Sequence, residues 1–302
     1  MAAIVPQLMN PEKEVVGTCC NSIQSIIELC GPQALLPVAN DVLNGLLKLV
    51  SKKAVCQSDI YSEEEEEDED DDHETWMNGV LDLIGAIGRV MGAHFAQYLN
   101  EFMPHVLNFA KTSCPTNDRS MAIGLLGELA QGLGPAVAPY FEQVYIPQIQ
   151  QGCADEADTV RRNAAFTAGM CCEALGEAAA PAYPAIMQAL HPIFTIDATQ
   201  GDAAAAAVDN AAAALARMII ANPNSIPYGQ VLPVFFAALP LKSDLSETEV
   251  VFECIVKMAG ANQPDMQGAL KGEVQRVVMA CVGEGYKVEE ELKGGLKKAF
   301  GV

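Results

Sequence analysis

The sequence predicts an all-α protein, a right-handed solenoid of about six helix pairs with an acidic loop inserted near its N-terminal end. Three observations carry this. Apolar residues recur at helical spacing along the 302 residues, with no run of period-two alternation long enough for a sheet. Breaks rich in Gly, Pro or Asn return at a nearly constant interval. Each break leads into a second helix carrying a large residue such as Tyr98, Tyr140, Tyr183 or Tyr228.

In chain order, IVPQLMN reads as the end of a helix whose beginning is missing. The units then align by pattern rather than identity: SIIELCGPQALLPVANDVL, AIGRVMGAHFAQYLNEFM, GELAQGLGPAVAPYFEQV, CEALGEAAAPAYPAIMQAL and ARMIIANPNSIPYGQVLP. Gly31-Pro32, Gly134-Pro135 and Asn222-Pro223 each end one helix and start another. Polar starts stand at Pro11, Thr75, Asp118, Asp155, Asp202 and Ser246, at intervals of 64, 43, 37, 47 and 44 residues. Removing roughly 20 inserted residues brings the outlier into the range of about 40–47 expected of HEAT-type repeats. Residues 1–302 therefore read as one curved HEAT-repeat solenoid, with 57–74 as a disordered acidic loop within it.

Within the units, Val160, Ala164, Ala168, Cys171 and Leu175 form one helical stripe. Ala and Gly in NAAFTAG and DAAAAAVDNAAAALA let neighbouring helices approach closely. Asp155, six residues before Arg161, matches the acid and base that commonly form a ladder between HEAT repeats, which makes Arg161 structural and leaves Arg162 and Asn163 for an exposed face. The closing YKVEEELKGGLKKAFGV places Val288, Leu292, Leu296 and Phe300 at four-residue intervals, as a cap for the last repeat.

Charge narrows the function. The net charge is −21, and without the ten-acid run and Glu74 the remainder still carries −10. Such a surface repels nucleic acid and anionic lipid and attracts basic partners. Ten cysteines lack a disulfide framework and any CxxC, so they read as reduced, buried small hydrophobes, and the four histidines lack metal-type spacing. The N-terminus has no basic region of a signal peptide, and the Ala203–Ala216 run reads as too weakly hydrophobic to span a bilayer. A soluble intracellular protein without cofactor is expected. No P-loop, GxSxG elbow or HExxH supports an enzyme.

The strings DEADTVRRNAAFTAGMCCEALGE and VDNAAAALARMIIANPNSIPYGQVLPVFFAALPLKSDLSETEVVFECIVKMAG, preceded by an acidic insertion and NDRSMAIGLLGELAQGLG, resemble the C-terminal part of importin-beta superfamily nuclear transport receptors. The resemblance is to the importin-four branch, covers nearly the whole chain, and is most specific in DNAAAALARMI and LPLKSDLSE. It implies a segment of a longer receptor that shuttles between cytoplasm and nucleus, with ribosomal proteins and core histones as basic cargo. It also implies contacts with phenylalanine-glycine nucleoporins, and Ran binding through N-terminal repeats that have no counterpart here.

Two groups of residues become candidate cargo contacts. The acidic run Glu63, Glu64, Glu65, Glu66, Glu67, Asp68, Glu69, Asp70, Asp71 and Asp72 can follow a Lys/Arg-rich segment without fixed geometry, or merely solubilise. The resemblance further implies that Glu128, Asn163, Asp209 and Asn210 hold a cargo lysine on the inner face. The structural alternative has Asn163 and Asn210 satisfying backbone groups and Glu128 simply solvated. Trp76, the only tryptophan, is a core or staple residue, or an aromatic wall for cargo. Two other classes stay open: a HEAT scaffold such as a phosphatase regulatory subunit, and an acidic chaperone for histones or ribosomal proteins acting without transport.

Overall fold

The structure, a computed structural model, describes residues 1–58, 69–266, 270–282 and 290–300. Among them there are helices and turns and no strand. The helices are α1 (Lys13–Cys30), α2 (Pro32–Leu35), α3 (Ala39–Val50), α4 (Glu69–Met91), α5 (Leu99–Phe109), α6 (Thr116–Leu133), α7 (Ile146–Cys153), α8 (Asp158–Leu175), α9 (Tyr183–Leu190), α10 (Asp202–Ala221), α11 (Tyr228–Ala238), α12 (Thr248–Gly260), α13 (Lys271–Val282) and α14 (Glu290–Phe300). From α4 to α11 long and short helices alternate in chain order, within the all-α fold the sequence predicts.

Packing divides the chain into two units, Met1–Pro139 and Tyr140–Val302. A repeat in such a stack touches only its neighbours, so a boundary between repeats severs few contacts, and periodicity does not announce it. In the first unit α1, α4 and α6 lie side by side, with α3 packed on α5 behind them. In the second, α8, α10, α12 and α14 form the corresponding row, while α7 packs on α9 and α11 on α13.

The recurrent breaks have one backbone cause. Gly31, Gly92, Gly134 and Gly176 take φ of 75°, 57°, 56° and 54° directly after α1, α4, α6 and α8. Only glycine enters that region without Cβ strain, and a backbone N–H there can turn back onto the last helical carbonyls, as Gly31 N–H does to Ile27 O at 2.8 Å. After α10, Asn222 followed by Pro223 does this work, with Asn222 at φ −149° and ψ 79°.

Close approach between long helices depends on missing side chains. A Cβ on Gly17 of α1 would stand 3.0 Å from Trp76 Cβ of α4, and one on Gly132 of α6 would stand 2.8 Å from the Arg89 backbone. Trp76 is a core residue against α1 rather than an exposed wall. In the second unit α8 meets α10 through Ala164, Ala168, Cys171, Ala207, Ala211 and Ala214, all fully buried. The predicted stripe is thus core from Val160 to Cys171, and Leu175 at the helix end is half-buried.

Two expectations of the sequence need adjustment. Of segment 57–74, Gln57 closes a short 3-10 turn and 69–74 belong to α4, while 59–68 lie outside the described residues. Acids in a first helical turn are favoured by the helix dipole, which offsets their poor intrinsic propensity. Helix α10 is, by length and composition, apolar enough to cross a membrane, contrary to the expectation for the alanine run; so are Pro32–Gln57, Trp76–Phe109 and Thr116–Cys153. In the fold 83% of the α10 window is buried between α8 and α12. Of the closing stripe, Leu296 is buried, Leu292 and Phe300 are half-buried, and Val288 lies outside the described residues.

Candidate functional site

Charged side chains gather on the rows of long helices. In the first unit the Arg89 guanidinium, near the end of α4, donates from Nη1 to Glu128 Oε2 on α6 and from Nη2 to Glu28 Oε1 on α1, the latter at 3.1 Å. Gln24 Nε2 donates to the same Glu28 oxygen at 3.1 Å. Asp82, on α4, interacts electrostatically with both Arg89 and Glu28. Burial raises the Asp82 carboxyl above its ordinary value; Arg89 pulls it down and Glu28 pushes it up. Burial likewise raises Glu128, against the opposing charge and hydrogen bond of Arg89. Two carboxylates thus share one guanidinium, with Asp82 interacting with it only through its charge.

The second unit repeats the device. Arg217 of α10 donates from Nε to Glu173 Oε2 on α8 at 2.9 Å, and from Nη1 to Glu247 Oε2 ahead of α12. Glu28, Arg89 and Glu173 each stand three residues before the helix-ending glycine of their repeat, Gly31, Gly92 and Gly176. That shared offset is the signal in the sequence that would have found the bridges, which the reading of motifs missed.

Asp209 and Asn210 do not form part of an open surface. Asp209 is fully buried, and its carboxylate accepts the backbone N–H groups of Lys242, Ser243 and Asp244 at 2.7–3.1 Å. Asn210, also buried, donates from Nδ2 to Ala206 O and to Asp244 Oδ2, both at 2.9 Å. This corrects the expectation that both grip a cargo lysine: they stitch the loop 239–246 onto α10, because a turn that presents three N–H groups inward needs a buried anion. Burial is the largest effect on Asp209 and raises it, while the three N–H donors oppose. Burial also presses Asp244 upward, yet the Ser246 hydroxyl, the Asn210 amide and the charge of Arg162 together hold it below the usual carboxylate value.

The other predicted residues fall differently. Glu128 is half-exposed but engaged by Arg89 rather than simply solvated. Asn163 of α8 is half-buried, and Arg162 beside it is exposed. Arg161 is structural, though its recorded bonds are local: to Asp158 Oδ1, and to the Asp155 carbonyl at 3.0 Å. In the acidic run, Glu63 to Asp68 lie outside the described residues, and Glu69 to Asp72 enter the first turn of α4.

Among the described cysteines Cys19, Cys20, Cys56, Cys153, Cys171, Cys172 and Cys254 are buried and free, Cys114 is half-buried and Cys30 exposed. Burial pushes Cys19 up to about 11 and Cys153 up to about 12, which keeps them protonated and unreactive. Among the described residues no group of three His, Cys, Asp or Glu is placed to hold a metal ion.

Alternating helices ended by glycine, with paired-charge bridges along the long row, define a HEAT-repeat protein. A family model described as importin subunit beta-1-like, TPR repeats, matches residues 9–151. The probable importin subunit beta-4 of Schizosaccharomyces pombe is 27% identical over 261 residues, 83% of this chain and 24% of that protein. Importin-4 of Homo sapiens is 33% identical over 257 residues, 82% of this chain and 23% of that protein. Importin beta crystallised in polyethylene glycol superposes with a TM-score of 0.77 at 15% identity, covering 99% of this chain and 38% of that one. Kap121p bound to RanGTP does so with a TM-score of 0.69 at 17% identity, covering 99% and 30%. The chain belongs to the importin-beta superfamily, and it spans about a quarter of the length of the curated relatives it matches.

Proposed function

We propose that the chain is a cargo-binding part of a nuclear import receptor that takes basic segments of ribosomal proteins and core histones through the nuclear pore. The observation that carries this is a net charge of −21 on a chain similar to importin-4 over most of its length. The acidic run attracts Lys/Arg-rich segments at long range. In the first unit Glu128 with Glu28 and Asp82 supplies carboxylates where a cargo lysine docks, and in the second unit Asn163 on α8 supplies an amide for a separate cargo contact. Asp209 and Asn210 take part only by holding the 239–246 loop.

Structural neighbours support the partner set: Kap121p is seen bound to Pho4p, to Nup53p and to RanGTP. An apolar groove of about 870 Å³ between α9 and α11, lined by Met187, Phe194, Ile226, Val231 and others, suits a nucleoporin aromatic side chain. Ran binding and release belong to the receptor as a whole, shuttling between cytoplasm and nucleus. The test is binding of a lysine-rich histone-tail peptide to the chain at two salt concentrations, beside an acidic control peptide. Saturable, salt-sensitive binding of the basic peptide alone is expected. Equal binding of neither peptide favours a HEAT scaffold that meets folded subunits instead.

A further inference from the structure

The two arginine bridges are alike in pattern and unlike in setting. Arg217 is 11% exposed, and its partner Glu247 is 8% exposed, so that pair is sealed into the packing. Arg89 is 34% exposed, and its partners Glu28 and Glu128 are 45% and 31% exposed. Its recorded bonds are those to Glu28 and Glu128. Asp82 lies close to it and makes no hydrogen bond or ion pair among the described residues. Counted as charges, three acids surround one cation.

The backbone builds this arrangement. A Cβ on Gly85 would fall 1.9 Å from Glu128 Oε2, so the carboxylate lies flat on α4 only because residue 85 has no side chain. Gly132 lets α6 approach until a Cβ there would touch the Arg89 backbone at 2.8 Å. The Glu128 carboxylate therefore occupies the space that Gly85 leaves on α4, and the Arg89 side chain reaches it on a flexible stem. Any incoming ammonium or guanidinium meets an acid cluster whose best hydrogen-bonding positions are already taken by a cation of the chain itself.

We infer that Arg89 is a built-in competitor for basic ligands, holding Glu28 and Glu128 until a lysine or arginine of the partner displaces it. The inference rests on the basic-cargo reading above and adds a residue that sets affinity and selectivity. A weakly basic segment fails to displace Arg89; a segment with several closely spaced lysines gains from Asp82 and from long-range attraction and succeeds. Arg217, held against the buried Glu247 although its second partner Glu173 is 63% exposed, has no such role and serves as the internal comparison.

The experiment measures the affinity of the same lysine-rich histone-tail peptide for the full chain carrying Arg89→Gln, Arg89→Lys, or Arg89→Gln combined with Glu28→Gln and Glu128→Gln. Removing one positive charge several ångströms from the docking ammonium should tighten binding by about tenfold in Arg89→Gln. Arg89→Lys, which keeps the charge, should stay near the wild-type value, and the triple variant should bind no better than wild type. An unchanged or weakened affinity in Arg89→Gln, with the wild type binding normally, overturns the inference and leaves the cargo reading standing. Should Arg89→Gln not fold, the pair Glu28→Gln and Glu128→Gln decides: unchanged peptide affinity in that variant overturns the inference. Absence of binding to the wild type and to Arg89→Gln alike overturns both.

Discussion

The carboxylate of Asp209 accepts the backbone N–H of Ser243 at 2.7 Å, and the neighbouring N–H groups of Lys242 and Asp244 converge on the same side chain. One buried acid therefore satisfies three backbone donors of a loop that has no helical partner to offer them. Asp209→Ala leaves all three unpaired in the interior. At about 1–3 kcal/mol for each buried group left unsatisfied, partly relieved by water entering, the loss should exceed about 2 kcal/mol. Thermal unfolding followed by circular dichroism should show a Tm lowered by several degrees. A Tm within a degree of wild type means the loop does not depend on this clamp.

Asp82 and Glu128 set a pH dependence whose sign follows from their environment. Both carboxyls are raised above their ordinary values, 3.8 and 4.5, chiefly by burial. A raised folded value means the folded state holds its proton longer than the unfolded chain does. The associated stability is complete below the unfolded value and is lost as pH rises through the folded one. Asp82→Asn removes the penalty. It should raise Tm at pH 7 relative to wild type, and the gap should close as pH is lowered towards 4. A gap independent of pH would show that charge is not the cause.

Gly132→Ala tests the close approach of α6 to α4. The added methyl meets the Arg89 backbone at 2.8 Å, and backbone cannot move aside as a side-chain tip would. Overpacking of this kind costs about 1–3 kcal/mol. Gly229→Ala, where a Cβ meets nothing within 4 Å, is the control and should be neutral or slightly stabilising. Chemical denaturation of the two variants separates them.

Tyr183 carries a smaller, cleaner contribution. Its buried hydroxyl donates to the Met218 carbonyl at 3.1 Å, joining α9 to the end of α10. Tyr183→Phe keeps the ring and removes one hydrogen bond, so a loss of about 1 kcal/mol is expected in urea unfolding.

The acidic run should act on rate. Screening reaches about 8 Å at 0.15 M salt, so charges that guide an encounter lose effect as salt rises. Deleting Glu63 to Asp72 should slow association of the histone-tail peptide at low salt and leave dissociation nearly unchanged. A change confined to dissociation would instead make the run part of the docked interface.

Much of the fold was legible because its causes are local. Glycine or Asn-Pro at each break, polar residues at each start and apolar spacing between them are properties of short windows. The starts at Asp118, Asp202 and Ser246 accordingly fall within two residues of those of α6, α10 and α12. Thr75 missed the start of α4 by six residues, since a run of acids reads as disorder although it can also open a helix at its favourable end.

The particular partners were not legible. Nothing in AVDNAA separates an acid that faces water from one that closes a loop 33–35 residues further on; only the approach of Lys242, Ser243 and Asp244 made Asp209 internal. The sequence by itself determined an all-α repeat protein, its punctuation and its strongly negative charge, because composition and helical period are encoded residue by residue. Tertiary structure alone decided that Arg89 reaches both Glu28 and Glu128 while Arg217 is buried against Glu247, since each bridge joins separate elements of the chain and its exposure depends on how closely glycine and alanine allow the helices to pack.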